Sequence, residues 1–147
     1  MPPHVTPDPF SDEDIEAIGA GVAARTLPKA RWTHAAHFAA ALWLLTRLGG
    51  DAFAEMPGLI RAYNAATGVA NTDTEGYHET ITQASLRAAQ AVLAAHPGRP
   101  LSAVLAELLA SPMARSDWLL AYWSRERLFS VEARRAWLEP DLQPLPF

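Results

Sequence analysis

The sequence predicts an all-α protein, a single compact domain of five to seven helices between extended, proline-rich ends. Two observations carry this expectation. Apolar residues recur at helical spacing along most of the chain, as in Leu101, Val104, Leu105 and Leu108, and no useful stretch alternates as a half-buried strand would. Prolines, glycines and small polar residues gather between these stretches and cut the chain into helix-length pieces. With 147 residues, half of them hydrophobic and 19% charged, there is material for one domain with its own core.

Residues 1–10, with four prolines, read as an extended arm. A first helix follows from Ser11, an N-cap candidate, with Asp12, Glu13 and Asp14 at the positive end of its dipole and Leu27-Pro28 at its end. Gly19 and Gly21 weaken it. Thr33 should cap a second helix that stops at Gly49-Gly50. Residues 51–67 read as helical with a break at Pro57, because proline is tolerated only in a first turn. Met56, Ile60 and Tyr63 keep helical spacing across that break. "GVANTDTEG" is a loop, and a long helix should run from Glu75 or Tyr77 to Ala95, closed by "HPGRP". After the apolar face of residues 101–110, Ser111-Pro112 looks like a cap with proline at the first helical position. A short helix should carry Trp118 to Trp123, and Ser130 should cap "VEARRAW". The domain is expected to span residues 11–139, with 140–147 an extended tail.

Composition excludes several classes. A net charge of −4, with twelve scattered basic residues, argues against a nucleic-acid or anionic-membrane partner. Without cysteine there is no disulfide, thiolate nucleophile or Cys-bound metal. The first ten residues lack the basic and apolar regions of a secretory signal, and "FAAALWLL" is too short to span a bilayer, so a cytoplasmic protein is expected. Neither G-x-S-x-G, G-x-G-x-x-G nor a P-loop lysine motif occurs, which leaves serine hydrolase and nucleotide chemistry without support.

Three of the five histidines stand at the entrances of the two best helices, in "RWTHAAHFAAALWLL" and "EGYHET". At about 100° per residue, His34, His37, Ala41 and Leu45 share one face of the second helix, with Trp43 and Arg47 opposite. His78, Thr82, Ser85 and Ala89 share a face of the later helix, with Gln83 and Arg87 pointing away. If the two helices touch, these residues make a polar pocket, with Trp32 and Tyr77 as candidate walls. His34, His37 and His78 could then bind zinc, nickel or iron, with Glu79 as fourth ligand or general base for hydrolytic or oxygen chemistry. Asp73 and Glu75 are weaker ligand candidates.

Each residue also has a plain structural reading. A buried histidine is commonly hydrogen-bonded to backbone. Glu79 suits a first helical turn. Thr82 and Ser85 can bond back to the preceding turn. Trp32 and Tyr77 can simply fill the core. The segment "AYWSRERLFSVEARRAW" reads either as a lid with Arg125 or Arg127 binding an anionic substrate, or as an Arg–Glu surface network around buried Tyr122, Trp123 and Phe129.

The motifs "WTHAAHFAAALW", "RAYNAATGVANTDTEGYHETIT" and "YWSRERLFSVEARRAWLEPDL", spread from Trp32 to Leu142, resemble a family of small, uncharacterised bacterial all-α proteins. The resemblance implies a self-contained domain and carries no activity. Three functions therefore stand open: a metal-dependent enzyme; a metal-free module that binds a small ligand; and a structural domain whose histidines form a buried network, with the Trp43 side of the second helix as a homo-oligomer interface.

Overall fold

The computed structural model describes residues 10–147, so His4 and all of the N-terminal arm but Phe10 lie outside the described residues. The described chain is all-helical, without a strand. Five helices of nine residues or more, α1 (Asp12–Ala24), α2 (His34–Leu48), α3 (Ala52–Ala66), α4 (Glu79–Ala95) and α5 (Leu101–Leu109), are followed by two short ones, α6 (Arg125–Leu128) and α7 (Val131–Arg135). Single 3-10 turns at Pro112–Ala114 and Trp118–Ala121 join α5 to α6. No helix among the described residues is long and apolar enough to cross a membrane.

The caps form where local chemistry calls for them. Ser11 accepts from the Asp14 amide while Asp14 reaches back to the Ser11 amide, closing a capping box. Thr33 accepts from Ala36 and Ser130 from Ala133, at the starts of α2 and α7. Helix α4 begins later than expected, because His78 is not in its first turn but is its N-cap.

Helix α2 is the centre of the fold and packs against α1, α3, α4 and α5. It is buried nearly all round, from Ala36 and Phe38 to Leu45. This corrects the expectation of an exposed back face. Trp43 is only 9% accessible, and α1 covers it. A Cβ on Gly19 would stand 2.2 Å from the Trp43 ring, so glycine is what lets the two helices approach. The Trp43 indole N–H donates to Glu16 at 2.7 Å, and Arg47 lies over the ring. The interface proposed for that face therefore has no free surface to use.

A second correction concerns Pro57. Helix α3 runs unbroken through it. Proline removes the N–H that would satisfy the Phe53 carbonyl one turn earlier. The side-chain amide of Gln83, on α4, donates to that oxygen at 3.0 Å instead. Gln83 thus points into the packing rather than away from it. Likewise Arg87 lies over the Trp137 ring, 4.1 Å from its centre.

The loop between α3 and α4 is held by side chains. Asn71 accepts from the Tyr77 amide and donates to the Arg61 carbonyl. Arg134 donates to the carbonyls of Gly76 and Tyr77. Asp73 is engaged by both Nε and Nη2 of Arg135, whose guanidinium holds its carboxyl below the usual range. The C-terminal tail, expected to be extended, carries no helix but lies against the body. Leu142 donates to the Tyr122 carbonyl, and Asp141 accepts from the Ser124 amide and hydroxyl.

Candidate functional site

Helices α2 and α4 do touch, and a cavity of about 250 Å³ opens beside their N-terminal halves. Helix α2 contributes His34, His37 and Phe38, and α4 contributes Ile81 and Ser85. The opposite wall is Ser116 to Leu120, and the side nearest α6 is Arg125, Leu128 and Phe129. Most of this surface is apolar, with imidazoles, hydroxyls and one guanidinium set into it.

The three histidines have three different occupations. His34 donates from Nε2 to the Met113 carbonyl at 2.8 Å, tying the 3-10 turn that precedes one cavity wall to the start of α2. His78 accepts from the Ile81 amide at Nδ1, and at Nε2 it donates to the Leu128 carbonyl at 2.7 Å. Both its nitrogens are spent, and it does not line the cavity. Burial pushes its pKa down, so it is the neutral Nε2–H tautomer that caps the helix and holds Leu128.

His37, which lines the cavity together with His34, is occupied differently. No side chain or carbonyl among the described residues is hydrogen-bonded to either of its ring nitrogens. Trp32 lies flat against one face of the ring, with centres 3.8 Å apart and planes 23° from parallel. The residue is exposed, and it lines the cavity. Desolvation pushes its pKa down to about 4, and the nearby His34 adds to the shift. The ring is therefore neutral near pH 7, able to donate at one nitrogen and accept at the other.

The expected ligand set is therefore not assembled. Among the described residues no group of three or more histidine, aspartate or glutamate side chains is placed to hold an ion. Glu79 lies outside the cavity and accepts a hydrogen bond from the Tyr77 hydroxyl. Tyr77 is buried on that same side, its pKa raised by burial and by Glu79, with Thr82 beside its phenol. So Glu79, Tyr77 and Thr82 form a cluster of their own, and only Ser85 of the two expected hydroxyls reaches the cavity. Asp73 is committed to Arg135.

Of the aromatic and arginine-rich segment, Trp123 is fully buried, as expected, and donates to the Leu138 carbonyl. Phe129 is not buried: 52% of it is accessible, at the cavity edge. Arg127 donates to the Glu139 carbonyl, while Arg125 lines the cavity. Ser116 and Asp117, in a turn, and Trp118 to Leu120, in the 3-10 turn that follows, also line it, and no motif in the sequence marks them as a pocket wall. Comparison with family models, with curated proteins and with solved structures finds no match.

Proposed function

We propose that this protein is a metal-free module that binds a small organic molecule in the cavity between α2, α4 and the C-terminal segment. The observation that carries the reading is His37. It is an imidazole without a hydrogen-bond partner among the described residues, stacked on Trp32 and open to a mostly apolar cavity. Polar groups that converge on a concave apolar site are the usual make-up of a ligand pocket. The volume lies below the roughly 300–1,000 Å³ of sites for drug-sized ligands, so the molecule is small. With its pKa pushed below the ordinary value, the ring is neutral near pH 7 and offers a ligand one donor and one acceptor.

The test is binding of small aromatic probes, phenol and benzamide, followed by thermal shift and tryptophan fluorescence. His37→Phe keeps a ring against Trp32 and removes its nitrogens. Wild type is expected to bind at least one probe, and the variant to bind it about tenfold more weakly, the scale of one hydrogen bond. Equal binding by both proteins would overturn the role of His37. Stoichiometric uptake of zinc or nickel, lost in His37→Phe, would overturn the metal-free reading.

A further inference from the structure

We infer that the cavity takes an organic anion, a small carboxylate with an apolar body whose charged end meets Arg125 and whose far end meets His37. This rests on the reading of the cavity as a ligand site and goes on to name the ligand's class.

Charge at the cavity is unevenly matched. Its lining contains one cationic side chain, Arg125, and one carboxylate, Asp117. Asp117 is engaged by Arg115, whose Nε lies 3.2 Å from it. No carboxylate among the described residues lies within ion-pair distance of Arg125. Its neighbour Glu126 lines a different groove, beside Ser124 and Arg127. The cavity's carboxylate is thus committed to Arg115, and among the described residues its cation has no carboxylate to pair with, which leaves Arg125 open to a monoanion in the cavity.

Geometry supplies the rest. Arg125 is exposed, and its guanidinium carbon rests 5.7 Å from the centre of the accessible Phe129 ring, with both residues at the cavity edge. A guanidinium matches a carboxylate with two parallel hydrogen bonds, and such charge-assisted bonds are roughly twice as strong as neutral ones. The same cavity is lined by Phe38, Ile81, Leu119 and Leu128, which suit a hydrocarbon or aromatic body. A cationic ligand would meet Arg125 unpaired, and a strongly hydrated dianion would leave its hydration shell for apolar walls.

The experiment compares benzoate with benzamide, and hexanoate with hexanamide, by fluorescence titration of the full chain. Each pair matches in size and differs in charge. Carboxylates are expected to bind about tenfold or more tightly than their amides. Arg125→Gln should remove that preference while leaving amide binding in place, and added salt should narrow it. Amides binding as tightly as carboxylates would overturn the anion and leave the cavity as a neutral-ligand site. A preference that survives Arg125→Gln would overturn the role of Arg125. If no member of either pair binds the wild type, both the anion and the ligand-site reading fall together.

Discussion

The Nε2 of His78 lies 2.7 Å from the carbonyl oxygen of Leu128, fifty residues further along the chain, while its Nδ1 caps α4. One neutral imidazole thus performs two structural tasks, fixing a helix start and a wall of the cavity. His78→Ala removes the cap, worth about 1 kcal/mol, and leaves a buried carbonyl unsatisfied, at about 1–3 kcal/mol. A total loss of about 2–4 kcal/mol is expected in urea unfolding. His78→Asn, which can cap but falls short of Leu128, should lose less. A loss under about 0.5 kcal/mol for His78→Ala, the size of an ordinary surface change, would contradict this account.

Acid should destabilise the protein in two separate windows. His37 and His78 have folded pKa values below the ordinary 6.5, His37 at about 4. As pH falls below 6.5 the unfolded imidazoles take up protons that the folded ones refuse. Stability is therefore full above that pH and declines toward about pH 4. Asp14, Asp73 and Asp141 are held below 3.8 by hydrogen bonds from Ser11, Arg135 and Ser124. Their contribution is present above 3.8 and is lost as pH drops through their lowered folded values. Thermal unfolding as a function of pH checks this: His37→Phe with His78→Asn should flatten the upper window and leave the lower one.

Two glycines on helices should respond in opposite ways to alanine. At Gly58, exposed on α3 with open space around it, alanine should stabilise by about 0.5–1 kcal/mol through helix propensity. At Gly19 the same change forces a methyl group into the Trp43 ring and should cost about 1–3 kcal/mol. Denaturant midpoints of the two variants measure it, and a stabilising Gly19→Ala would show that α1 and α2 can part without loss.

The amide of Gln83 should matter only because Pro57 is there. Gln83→Ala is expected to cost about 0.5–1.5 kcal/mol. In a Pro57→Ala background the backbone N–H returns to the Phe53 carbonyl, and the same change should cost markedly less. A double-mutant cycle reads the difference directly. Additive effects would mean that the 3.0 Å contact carries no energy.

What could be read from the sequence was local. Ser11, Thr33 and Ser130 announce their helices because a cap satisfies amides two or three residues away. The burial of Met56, Ile60 and Tyr63 follows from spacing alone. What could not be read was settled by distant partners. Pro57 reads as a break because the group that rescues the helix, Gln83, lies on another element. Trp43 reads as exposed because its cover, the bare backbone at Gly19, is a complementarity between two helices rather than a motif. The spacing of His34 and His37 puts both on one face of α2, and both line the cavity, with His37 exposed rather than buried in the core stripe. The ring-by-ring division of labour was hidden, since Met113 and Leu128 offer only backbone carbonyls, and every residue has one.

The two histidine tethers also set the order in which the cavity can come into being. They join residue 34 to residue 113 and residue 78 to residue 128, so each closes a long loop whose entropy must be met before its wall is in place. A nascent chain emerging N-terminus first has α1 to α4 in hand, and with them His37 on its tryptophan, before Arg125 and Phe129 exist. The closed cavity is a late product of synthesis, and a chain truncated before α6 would carry the imidazole without Arg125, Leu128 and Phe129 beside it.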